Sequence, residues 1–169
     1  MRSRRLGIAA AVAGLAMVGT AVFTVPVFAR DRGNGAKGNV LVANLTGGVE
    51  VPPGDPNASG TAVVTLKPSS NTVCYKESWE GLTGVTASHI HLGPAGVAGP
   101  IVVPFFGLAL PDTISTVGGC VRNVDPALIK NIHDHPSDYY VNVHDAAFPK
   151  GAIRGQLHRP GKHDDTDDD

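Results

Sequence analysis

From Val40 onward, apolar and polar residues alternate in short runs, broken by clusters of glycine, proline, serine and asparagine. Successive side chains of a strand point to opposite faces, so such alternation predicts half-buried strands. VLVANL (40–45), GTAVVTLKP (60–68) and TVCYKESWEGL (72–82) predict the first three, with PPGDPNASG and PSSN as the breaks. TASHIHLG (86–93), PIVVPFF (100–106), TISTVGGCV (113–121), DYYVNVHDA (138–146) and GAIRGQLHR (151–159) predict five more. One segment differs. DPALIKNIHDHP (125–136) sets Asp125 at a cap position and Pro126 at the first helical position, with Leu128, Ile129 and Ile132 at helical spacing, which predicts a short helix. Many short strands, in a chain with 21 glycines and 13 prolines, predict an all-β fold. The expected architecture is an immunoglobulin-like or Greek-key β-sandwich or barrel with one short helix. No repeat or second domain is visible.

The N-terminal segment follows another rule. Residues 1–29 carry Arg2, Arg4 and Arg5, then an apolar run, and end in Val27-Phe28-Ala29, the pattern of a signal peptide cleaved after Ala29. A membrane role arises only if that segment stays uncleaved. Residues 30–39 read as a flexible leader, 40–159 as the folded domain and 160–169 as a disordered acidic tail. The expected location is therefore secreted, periplasmic or cell-envelope. With the three arginines set aside, 11 basic residues face 15 acidic ones, five of them in the tail HDDTDDD. A near-neutral body carries no electrostatic footprint for nucleic acid. Cys74 and Cys120 are the only cysteines, and an oxidising compartment favours a disulfide between them. Closing that loop is worth roughly 4 kcal/mol in the chain-entropy picture.

Alternation also places the candidate chemistry. With Ile90, Val141, Val143, Ile153 and Leu157 inward, His89, His91, Asn142, His144, Arg154 and Gln156 fall on outer faces. Two imidazoles one residue apart on a strand can share an ion, and His144 would complete a set of three nitrogens. Imidazole suits copper, zinc and nickel, and copper leads in intrinsic affinity. Solvated surface histidines are the alternative. His133 and His135 read as loop groups, and His158 and His163 as strand-exit and tail residues. Trp79, Tyr139 and Tyr140 read as partly buried packing, with a binding patch as the alternative. Asn44 and Asn57 fit the glycosylation pattern. No nucleophile arrangement or acid–base pair is visible.

ASHIHLGPAGVAGPIVVPF, DPALIKNIHDHPSDYYVNVHDAAFPKGAIRGQL and the opening LTGGVEVPP together resemble the CHRD (chordin-type) domain from about Val40 to Leu157. That resemblance implies an immunoglobulin-like β fold and extracellular placement, and no established enzymatic activity. A looser, local resemblance links HIH (89–91), VNVHD (141–145) and GAIRG (151–155) to copper–zinc superoxide dismutase. It implies His89, His91 and His144 as copper ligands and Arg154 as an anion-steering cation. The histidines of that family's zinc loop have no counterpart here, which favours copper over zinc. The expected function is metal binding by an exported domain, with dismutase-like redox chemistry as an extension. The alternative is a non-catalytic module that binds an extracellular or envelope protein.

Overall fold

The computed structural model describes residues 38–161. The expected signal segment, most of the leader and nearly all of the acidic tail lie outside the described residues. All eight expected strands form: β1 (Val40–Thr46), β2 (Ser59–Lys67), β3 (Thr72–Glu80), β4 (Val85–Leu92), β5 (Ile101–Phe106), β6 (Thr116–Arg122), β7 (Tyr139–Asp145) and β8 (Ile153–Gln156). The helix α1 spans Pro126–Asp134, and the Asp125 side chain accepts from the Ala127 N–H as its cap. Among the described residues no helix is long and apolar enough to cross a membrane.

The strands form one antiparallel sheet in the order β5-β4-β7-β8-β1-β2-β3-β6, curled until its two edges approach. Of the two expected architectures, this is the barrel and not the sandwich. At the seam, the Tyr75 ring of β3 stacks on Phe105 of β5 with centroids 4.2 Å apart, and its hydroxyl donates to the Phe105 carbonyl. The inner face carries the residues that alternation assigned to it. Ile90, Val141, Val143, Ile153 and Leu157 are fully buried with Leu41, Leu45, Val64, Leu66 and Val73. Ile129 and Ile132 of α1 pack into the same core.

Cys74 and Cys120 face each other across β3 and β6 and form the expected disulfide. The two residues are direct partners in the ladder, with Cα atoms 3.9 Å apart, closer than the common range for disulfides. Trp79, Tyr139 and Tyr140 are all buried, so the aromatic side chains serve packing and form no exposed patch.

Candidate metal centre

Three neighbouring strands carry the site on the outer face of the barrel. In register, His89 of β4 sits opposite Asn142 of β7, and Asn142 sits opposite Arg154 of β8. One step along, His91 pairs with Tyr140, and Tyr140 with Gln156. His144 lies opposite Ala87, beside a register shift in β4. Two more irregularities interrupt the β4–β5 ladder on either side of His89 and Ile90. Bulges re-aim side chains, and these flank the histidine positions of β4. One ring nitrogen from each of His89, His91 and His144 lies within 4.8 Å of the others.

Backbone carbonyls fix which nitrogens those are. His91 Nδ1 lies 2.8 Å from the Gly99 carbonyl and His144 Nδ1 lies 3.1 Å from that of Pro149. A carbonyl only accepts, so both Nδ1 atoms carry the proton and both Nε2 atoms present lone pairs. His144 Nε2 lies 3.3 Å from His89 Nδ1. His91 Nε2 is buried and has no hydrogen-bond partner. An imidazole whose far nitrogen donates to a carbonyl is held in the tautomer and orientation that a metal ligand needs.

The surroundings favour neutral rings. Burial, then the neighbouring His144 and His91, pushes His89 down to about 4. Burial also lowers His91 and His144 below the ordinary histidine range. Neutral imidazole binds a metal ion and imidazolium does not. Near neutral pH all three rings are therefore ready to bind.

The outer face is not the solvated surface that alternation alone suggests. His91 and Asn142 are buried, His89 and His144 are half-buried, and Arg154 is 1% exposed. The loop between β4 and β5 covers them. Arg154 donates to the carbonyls of Pro94 and Val97 in that loop and to Gln156 Oε1, each at 2.9 Å. Its guanidinium lies 3.3 Å over the Tyr140 ring, and His91 stacks on Tyr140 with centroids 4.7 Å apart. The expectation for Arg154 was anion steering. Its donors are taken by loop carbonyls and Gln156, and its face lies on a ring. It clamps the loop and, through Tyr140, positions His91.

Two polar residues at the site have no role assigned from the sequence, although alternation puts Asn142 on the histidine face. Asn142 places Oδ1 3.1 Å from His144 Nε2. It stands one alternation step before His144 and opposite His89, so strand periodicity carried the signal. Glu50 is buried nearby with Oε1 unpartnered. Burial raises its pKa, against the Val51 N–H, the Asn142 amide and Arg154. Nothing in LTGGVEVPP marks it as a site residue. Of the other histidines, His133 bonds Asp134 at the end of α1, His135 is exposed, and His158 bridges Val42 of β1. The cluster of His89, His91 and His144 includes none of them.

Fold and site together define a small disulfide-closed β-barrel domain with a covered histidine cluster on its wall. Residues 41–157 match the CHRD domain, and the chain belongs to that family. No curated protein and no solved structure matches the chain.

Proposed function

We propose that this chain is an exported CHRD-domain protein that binds a transition-metal ion, copper before zinc, through His89 Nδ1, His91 Nε2 and His144 Nε2. The observation that carries the reading is His91 Nε2, buried without a hydrogen-bond partner in a cluster whose three rings each offer a nitrogen within 4.8 Å of the others. Leaving a buried polar atom unsatisfied costs on the order of 1–3 kcal/mol, and a bound cation removes that cost. Intrinsic affinity for a nitrogen set favours Cu(II) over Zn(II). The disulfide fits an oxidising compartment, and the basic-then-apolar N-terminus supports export. The reading stops at binding. Dismutase-like turnover would draw an anion to the ion, and the Arg154 donors are engaged by the carbonyls of Pro94 and Val97.

An interaction module is the second reading, supported by Leu92, Val97 and Ile101, which expose apolar side chains on and beside the covering loop. Titration of the metal-free protein with Cu(II) and Zn(II), beside His91→Ala and His135→Ala, separates the two. Loss of one nitrogen from three is expected to weaken binding by about a hundredfold or more, while His135→Ala binds like the parent. Affinity is expected to persist below the usual histidine range and to fall toward pH 4, where His89 protonates. Equal, weak binding by all three proteins would leave the interaction module.

A further inference from the structure

One side-chain polar atom that faces the histidine cluster is not a histidine nitrogen. Asn142 Oδ1 lies 3.1 Å from His144 Nε2, and His89 Nδ1 lies 3.3 Å from the same atom. Because His144 Nδ1 gives its proton to the Pro149 carbonyl, Nε2 has none to give. Oδ1 and Nε2 are therefore two acceptors face to face, an arrangement that repels unless a cation or a proton lies between them.

The Asn142 side chain presents Oδ1 to His144 Nε2. Asn142 is 2% exposed, so solvent does not supply the missing partner.

The spacing fits a metal ion. Ligand nitrogens and oxygens about 2.0–2.1 Å from a tetrahedral ion stand about 3.3 Å from one another. The His89–His144 separation of 3.3 Å has that length, and the Asn142–His144 separation of 3.1 Å is slightly shorter.

We propose that the Asn142 side-chain carbonyl is the fourth donor of this centre, making it a closed site of three nitrogens and one oxygen that holds Cu(II) or Zn(II) in preference to Cu(I). The inference rests on the histidine reading above. An amide oxygen is a hard donor, which adds more to a divalent ion than to soft monovalent copper. The oxygen also completes four-coordination, so the ion is held without a position open to solvent, as in structural metal sites.

The test compares the full chain with Asn142→Ala and Asn142→Asp. Each is titrated with Zn(II), with Cu(II), and anaerobically with Cu(I) against a chromophoric chelator, and the Cu(II) forms are compared by electron paramagnetic resonance. Asn142→Ala is expected to lose about tenfold or more in Zn(II) and Cu(II) affinity with Cu(I) affinity nearly unchanged, and to shift the Cu(II) hyperfine pattern. Asn142→Asp, with an anionic oxygen in the same place, is expected to bind divalent ions at least as tightly as the parent. It tests the proposal even if the alanine variant fails to fold. Divalent binding and a Cu(II) spectrum unchanged in both variants would overturn the fourth donor and leave the three histidines standing. A parent that binds none of the ions would overturn both.

Discussion

Glu77 is an acid on the inner face of the barrel, with no measurable exposure. Ser88 Oγ donates to its Oε1 at 2.6 Å, and Oε2 has no partner. Burial pushes its pKa up to about 7, against that hydrogen bond. The native state therefore holds this proton more firmly than the unfolded chain, whose carboxyl titrates near its ordinary value. Between roughly pH 4.5 and 7 the native state binds more protons, and stability contributed by this group falls as pH rises. Glu77→Gln keeps the shape and the acceptor for Ser88 but removes the titration. It is expected to flatten this loss and to gain about 1–3 kcal/mol over the parent at pH 8. Urea unfolding of both proteins at pH 5 and pH 8 checks it; an equal difference between them at the two pH values would exclude Glu77 as the titrating group. The position was legible in the sequence. Val73, Tyr75, Glu77 and Trp79 alternate with outward residues, so period two carries the acid inward with its neighbours. The same rule placed His89, His91 and His144 on one face. Burial of Arg154 and His91 was not legible, because alternation assigns a face and says nothing about what lies over it.

At the level of elements, the strands and helix fall within a few residues of their expected bounds, because each is marked locally by alternation, turn residues or a cap. The covering loop between β4 and β5 has no such mark. Its place comes from tertiary hydrogen bonds: Arg154 to the carbonyls of Pro94 and Val97, Gln156 to that of Gly93, and the Gly99 N–H to the Tyr140 hydroxyl. Gly99 is the tightest point. A Cβ there would stand 1.7 Å from the Leu92 carbonyl oxygen, so even alanine forces the backbone to move. The same residue accepts from His91 Nδ1. Gly99→Ala is expected to cost about 1–3 kcal/mol of stability and to weaken metal binding by about 10–100-fold, although it removes no ligand. Thermal unfolding and Zn(II) titration of one preparation check both halves. Reduced stability with unchanged affinity would show that His91 is held by Tyr140 alone and not by the loop carbonyl.

On the scale of the molecule, the strand pattern could not choose between sandwich and barrel. Alternation fixes which side chains face inward, but partners such as β7 beside β4, or β8 beside β1, are set by how the whole sheet closes. That closure separates two tasks. The disulfide joins β3 to β6 at one end of the strand order, whereas the histidines stand on β4 and β7 near the other. In the open order, β8, β1 and β2 lie between them; across the seam, β5 does. Cys74 and Cys120 also lie at the surface of the ladder, outside the core that orders β4, β7 and β8. Replacing both cysteines by serine frees a loop with a sequence separation of 46 residues and is expected to lower stability by roughly 2–4 kcal/mol. Metal affinity, measured well below the unfolding temperature, is expected to stay within about threefold of the parent, since additivity holds for sites that share no partners. Loss of affinity as large as that of His91→Ala would mean that the seam and the histidine wall are one cooperative unit. The cluster would then depend on barrel closure, not on the β4–β7 ladder and its covering loop.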